Sequence, residues 1–504
     1  MTNRADRYFE EHKPYAGLGR ASARSGVVLV AARAINVGVQ VATTVVLARL
    51  LSPYEFGLVA VVMALVAFAP TLIDLGTTDA STQRTQITPG EVSALFWLNM
   101  AVGGVFTLIC AAGSSMVASF FGEPALADIA IVSSLTFIMT AASVQHYALM
   151  RRAMEFKRVA MIDLAANVIS SIVAIAMALT SWGYWALVAK PLVTLALAAL
   201  GAWISCPWLP GRPRVTPDVK AMVRFGLGVT GFTLTDTVVK SADRVAIGYV
   251  YGVGPVGHFQ NAFLLYNNLL SVLTESLHNV AVSSLSKLRD NLDELKRSWS
   301  AALSTVSFVS AAAFAGLAVT GQDFVVLLLG EKWAPAGPLL CLFAVRGIAQ
   351  GSERALGWLH VVAGRSDRWT RWGLFSAACQ LAALAAGLPF GPIGVATAYA
   401  IVMFALFVPA LAYSGRPLGV GAKDVLAAAG PQTVAALCAV AVGLLLQQAL
   451  MAEFAPFVRF VLSGLICLVT YLAVAVGVLR VTGPMRLALS LLREFQLRQS
   501  PKTS

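Results

Sequence analysis

Several of the few charged side chains in this 504-residue chain stand inside long apolar stretches. Arg33 shares a helical face with Asn36 and Gln40, at steps of three and four residues. Lys190 precedes Pro191. Asp236, Lys240, Asp243 and Arg244 form a second stripe, Glu275 and His278 occupy a third stretch, and Arg346, Gln350, Glu353, Arg354 and His360 a fourth. On insertion scales an Arg, Lys or Asp at the centre of a membrane helix costs about 2.5–3.5 kcal/mol, so such residues tend to face a polar interior and mark a pathway. Arg33, Lys190, Arg346 and Arg354 exceed the carboxylates within reach and would line a cationic cavity, with Lys240 and Arg244 as further members. A guanidinium grips phosphate through two parallel hydrogen bonds. Asn36, Gln40, Thr235 and Gln350 would add neutral polar contacts. A competing reading pairs Asp236 with Lys240, Glu353 with a neighbouring Arg, and Glu275 with His278, so that these charges hold helices together. In a third, Asp236, Asp243, Glu275, His278 and Glu353 couple an ion, for example by proton relay through Glu275 and His278.

Bond-making chemistry has little to work with. No Gly-Lys dipeptide occurs, so a Walker-type phosphate loop is excluded. Gly226-Leu227-Gly228-Val229-Thr230-Gly231 spells a dinucleotide fingerprint, but it lies within an apolar segment with no strand before it, where small residues serve close helix packing. The six cysteines follow no metal-site or disulfide spacing. Beyond Glu275 beside His278, neither His258 nor His278 has a Cys or carboxylate at ligand spacing. The expectation is no catalytic residue, no metal and no cofactor.

The elements that must position these charges are membrane spans. Apolar residues make up 58% of the chain and charged ones 12%, about half the usual share of roughly 25% in soluble proteins. The mean hydropathy is +0.75. A helix needs about 20 apolar residues to cross the bilayer core. By that ruler fourteen spans are predicted, near 26–50, 57–75, 91–113, 125–149, 158–180, 183–205, 222–250, 255–284, 299–320, 336–361, 371–389, 391–413, 424–448 and 457–480. Basic residues fall in every second connection and both tails: Arg4 to Arg24, Arg84, Arg151 to Arg158, Arg212 to Arg224, Lys287 to Arg297, Arg365 to Arg371, Arg416 and Lys423, and Arg480 to Lys502. The positive-inside rule therefore places both termini in the cytoplasm. The net charge of +12 reflects this topology and not a nucleic-acid surface. The predicted organisation is a cytoplasmic tail over 1–25, six helices over 26–206, a cytoplasmic linker over 207–221, six helices over 222–413, two more over 424–480, and a cytoplasmic tail over 481–504. From Pro484 to Gln499 that tail alternates leucines with arginines in the manner of an amphipathic helix on the inner leaflet.

A repeat is visible. Leu51-Ser52-Pro53-Tyr54-Glu55-Phe56-Gly57 follows the first span and Val253-Gly254-Pro255-Val256-Gly257-His258-Phe259 follows the seventh. Six intervening helices would give two lobes of the same orientation, related by an axis along the membrane normal.

The segment from Ala48 to Ala60, with Asp74-Leu75-Gly76 and Ala80 to Arg84, resembles the opening signature of Wzx-type bacterial polysaccharide flippases of the multidrug/oligosaccharidyl-lipid/polysaccharide exporter superfamily. Ala242-Asp243-Arg244, Ile247-Gly248, Gly257 to Ala262 and Leu285 to Leu288 resemble the start of that family's second lobe. The resemblance implies an all-α fold of fourteen transmembrane helices, two pseudo-symmetric six-helix lobes in a V plus two C-terminal helices. It also implies alternating access in the bacterial inner membrane, moving undecaprenyl-diphosphate-linked oligosaccharides outward. Its implied partners are that lipid-linked substrate, membrane lipids, and a polymerase and chain-length regulator of the pathway. Within the superfamily the alternatives are a lipid II flippase or an ion-coupled drug exporter; Arg33 in the first span favours an anionic substrate. A membrane polymerase would be expected to carry a sizeable outer loop with arginines, and no such loop is present.

Overall fold

The computed structural model describes residues 8–9, 18–74, 76–78, 81, 86–214, 216–286, 291–363, 366–451 and 453–484. Residues 18–31, 224–236 and 275–284, among others, are described by backbone only. Regular structure among the described residues is helical throughout. The longer helices are α1 (Leu18–Leu50), α2 (Pro53–Val66), α3 (Ala69–Asp74), α4 (Pro89–Ala112), α5 (Ser114–Phe121), α6 (Ala125–Arg152), α7 (Phe156–Leu179), α8 (Trp185–Ser205), α9 (Pro217–Tyr251), α10 (Val253–Ser286), α11 (Leu292–Leu329), α12 (Ala336–Glu353), α13 (Leu356–Ala363), α14 (Ser366–Gly387), α15 (Gly391–Gly415), α16 (Ala422–Leu450) and α17 (Pro456–Leu472). Among the described residues, nine helical stretches are long and apolar enough to cross a membrane, one of them, over 367–418, holding two of the predicted spans.

Local sequence explains where these helices start and break. Ser52 and Thr88 each cap a helix whose first residue is proline, and Glu55 and Glu91 return a carboxylate to the cap backbone at 2.7 and 2.9 Å, completing two capping boxes. The stretch predicted as one span over 57–75 is broken at Ala67–Phe68. Pro70 has no N–H for the Val66 carbonyl, the last of α2. The stretch over 336–361 is likewise two helices, with a turn at Arg354–Ala355. Helix α1 begins inside the stretch read as a tail, and α9 inside the stretch read as a linker.

The chain divides into two units, Met1–Gln260 and Asn261–Ser504. In the first, α7 packs on α1 and α8, α6 on α4 and α8, and α9 on α2 and α3. The starts of α2 and α10 meet so closely that a Cβ on Gly57 would lie 1.8 Å from the Val253 carbonyl oxygen, and one on Gly257 1.9 Å from that of Pro53. Connections alternate between two ends of this unit. At one end the Tyr54 hydroxyl donates to Glu123 at 2.6 Å, and Gly183 adjoins Glu55. At the other, the Tyr8 hydroxyl bonds to Glu155 and the Ser205 carbonyl, the Thr216 hydroxyl to Glu91, and Arg152 to the Ser81 carbonyl. In the second unit α12 lies on α11 through small residues. Cβ atoms on Gly347 and Gly351 would come within 2.5 Å of Phe314 and Ser310.

Candidate functional site

Helix α12 brings four of the predicted residues together. With about 3.6 residues per turn, Gly347 and Gly351 face α11 while Arg346, Gln350 and Glu353 lie on the next stripe round. Arg346 is 7% exposed, its Nε has no hydrogen-bond partner, and its guanidinium carbon sits 5.3 Å from the ring centroid of Tyr399 on α15. Among the described residues no carboxylate pairs with it. One turn on, the Gln350 carbonyl accepts a hydrogen bond from the hydroxyl of Tyr266 on α10. That fixes the amide with its carbonyl toward Tyr266, leaving the NH₂ as a donor elsewhere. Tyr266 is buried among Phe263, Phe314 and Phe343, with centroids 5.6–6.0 Å away. Glu353 is half-buried, and Arg354 is exposed at the end of the helix, its backbone N–H donating to the main-chain carbonyl of Gln350 at 3.2 Å.

In the first unit a polar string ties three helices. Asn167 on α7 donates through Nδ2 to the side-chain and main-chain oxygens of Asn36 on α1. The Ser170 hydroxyl donates to the Asn167 carbonyl at 3.1 Å. The Thr194 hydroxyl lies 2.7 Å from Ser170 Oγ and 2.8 Å from the carbonyl oxygen of Lys190. Lys190 is half-buried, beside the backbone position that Pro191 leaves without a donor. Arg33 and Gln40 are exposed on α1. On α9, Lys240 is exposed and Asp243 buried. Asp243 Oδ1 accepts the Arg244 N–H at 2.7 Å, with Arg244 Nε 3.9 Å away. The side chains of Thr235, Asp236, Glu275 and His278 lie outside the described residues, as does the predicted amphipathic tail beyond residue 484.

Sequence reasoning missed Tyr266, Tyr399 and Asn167. It also missed the Tyr147 hydroxyl bound to Asp163 at 2.7 Å between α6 and α7. Asn167 and Asp163 carried the same signal as Asn36, a polar residue inside an apolar segment; the tyrosines carried none that separates them from packing residues. A further buried polar group, Asp323 on α11, receives Arg459 Nε at 2.9 Å on both oxygens and Gln447 Nε2 at 3.2 Å. Its partners lie on α17 and α16, so this ion pair fastens the last two helices to α11.

Repeated apolar helices, broken at a proline and tied by interhelical polar contacts, define a multi-pass helical membrane protein. Residues 46–338 match the family described as polysaccharide biosynthesis protein, and the chain belongs to that family. It is 27% identical over 380 residues to the lipopolysaccharide biosynthesis protein WzxC of Escherichia coli K12, covering 74% of this chain and 76% of that one. It is 25% identical over 353 residues to the succinoglycan biosynthesis transport protein ExoT of Rhizobium meliloti 1021, covering 69% and 71%. Among solved structures its fold is similar to the lipid II flippase MurJ in an inward closed conformation (TM-score 0.72, 15% identity, 89% of this chain and 98% of that one). It is also similar to an inward-facing multidrug resistance MATE transporter of the MOP superfamily (TM-score 0.63, 12% identity, 78% and 98%). Of these four, ExoT and the MATE protein are named as transport proteins and MurJ as a flippase.

Proposed function

We propose that this protein is a flippase carrying undecaprenyl-diphosphate-linked oligosaccharide units across the bacterial inner membrane for exopolysaccharide, O-antigen or capsule synthesis. It works by alternating access of a cationic central cavity, with fourteen spans as two six-helix lobes plus two C-terminal helices and with both termini cytoplasmic. A polymerase and a chain-length regulator of the same pathway would receive the product. The observation that carries this reading is Arg346, a nearly buried guanidinium with an unpartnered Nε and, among the described residues, no carboxylate paired to it. A buried charge without a counter-charge is strongly unfavourable, and a lipid diphosphate supplies that counter-charge when it binds. Gln350, Asn36 and Gln40 offer neutral donors and acceptors to sugar hydroxyls, while the polyprenyl chain stays in lipid. Arg33, Lys190, Lys240, Arg244 and Arg354 add positive potential. No bond changes, so net export needs ion coupling, the membrane potential or removal of product. The membership in a polysaccharide biosynthesis family favours this substrate over lipid II, to which the likeness is one of fold.

Arg33→Ala and Arg346→Ala are each expected to abolish surface polysaccharide in the host at normal membrane levels of the protein, measured by glycan staining beside immunoblots. Full polysaccharide in both variants would remove the cationic cavity.

A further inference from the structure

We propose that Tyr399 is the positioning residue of the anion site, holding Arg346 by its ring face so that the guanidinium is steadied without a carboxylate and stays available to a diphosphate headgroup. The inference rests on the reading of Arg346 as a substrate contact. Buried cations are ordinarily held by carboxylates, which neutralise them and occupy their N–H donors. Helix α15, which supplies the ring, contains no Asp or Glu from Gly391 to Gly415. Tyr399 is itself 6% exposed, and the guanidinium carbon lies 5.3 Å from its centroid, within the range of about 6 Å at which a ring quadrupole attracts a cation. Such a contact steadies the charge without cancelling it. Among the described residues Arg346 has no ion pair for an arriving diphosphate to break, and its Nε donor has no partner. Tyr399 thereby sets how strongly this site prefers a doubly charged headgroup.

The test is binding of undecaprenyl diphosphate, with undecaprenyl monophosphate for comparison, to the purified full chain in nanodiscs. Tyr399→Phe keeps the ring and is expected to hold the diphosphate Kd within about twofold of the parent. Tyr399→Leu removes the ring and is expected to raise that Kd about tenfold, narrowing the preference over the monophosphate at an unchanged unfolding temperature. If the leucine variant fails to accumulate, Tyr399→Met supplies a ring-free side chain. In an Arg346→Gln background the loss of the ring should add nothing. Three results overturn the proposal: unchanged diphosphate binding without the ring, equal losses in the phenylalanine and leucine variants, or an undiminished leucine effect in the Arg346→Gln background. Wild-type binding by Arg346→Gln alone would instead overturn the reading of Arg346 itself, so the two failures are distinguishable.

Discussion

Two arginines set within apolar helices meet opposite fates. Arg459 is matched to Asp323 by a forked contact with Gln447 alongside, while Arg346 rests on an aromatic ring with its Nε unpartnered. Removing one member of a buried pair leaves the other charge uncompensated, at about 3–5 kcal/mol. Asp323→Ala is therefore expected to lower the unfolding temperature in detergent by several degrees, and Asp323→Leu combined with Arg459→Met to recover more than half of the loss. Arg346→Gln, which strands no counter-charge, should move the unfolding temperature far less while abolishing transport. Equal stability losses in Asp323→Ala and Arg346→Gln would contradict this division of roles. Arg346 and Gln350 were legible in the sequence, because a polar or charged residue within an apolar run is conspicuous, whereas Asp323 and Arg459 stood near span ends and carried no such signal. Nor were the partnerships legible. Asp323 and Arg459 stand 136 positions apart, a pairing that only tertiary packing creates, and Tyr266 and Tyr399 read as ordinary apolar filling until the fold sets them beside Gln350 and Arg346.

At the scale of elements, the all-helical character followed from apolar length, while the starts at Pro53 and Pro89 come from the Ser52 and Thr88 caps, which apolar length does not mark. The breaks were less legible because hydropathy continues across Ala67–Phe68 and Arg354–Ala355 while the hydrogen-bond ladder does not. The register of the sequence repeat differs from that of the contact between the two segments. The sequence match set Gly57 against Phe259, whereas the structure gives Gly57 and Gly257 reciprocal roles, each lying against the backbone that starts the other's helix. Only glycine permits that approach, since any Cβ would fall inside a carbonyl oxygen. Overpacking of this kind costs about 1–3 kcal/mol. Gly57→Val and Gly257→Val are each expected to lower thermal stability by that amount. Gly38→Ala on α1, where a Cβ meets nothing within 4 Å, should be neutral or stabilising, since alanine is the better helix former by about 1 kcal/mol. Unfolding temperatures in one detergent decide it: a tolerated Gly57→Val would mean that the two helix starts are not packed this closely.

For the whole molecule the governing quantity is the distribution of charge along the membrane normal. In the first unit, the end where Glu155, Thr216 and Ser81 are tied also carries Arg151, Arg152, Lys157, Arg158, Arg212 and Arg214, while the end marked by Tyr54, Glu123 and Gly183 carries few cations. Positively charged connections are retained on the cytoplasmic side during insertion, so the basic end should be the inner one and the alternation should persist through the second unit. Single cysteines in a variant lacking the six native ones test this at exposed, uncharged positions that leave the charge pattern intact. Trp182→Cys and Phe390→Cys, at residues 58% and 78% exposed, should react with a membrane-impermeant maleimide on intact cells stripped of their outer barrier. Leu209→Cys and Leu292→Cys, at residues 72% and 50% exposed, should react only after permeabilisation. Inverted labelling of all four would reverse the orientation but keep the alternation. Labelling of positions 182 and 209 from the same side would break the alternation itself, and with it the argument that an even number of helices separates the two copies of the repeat.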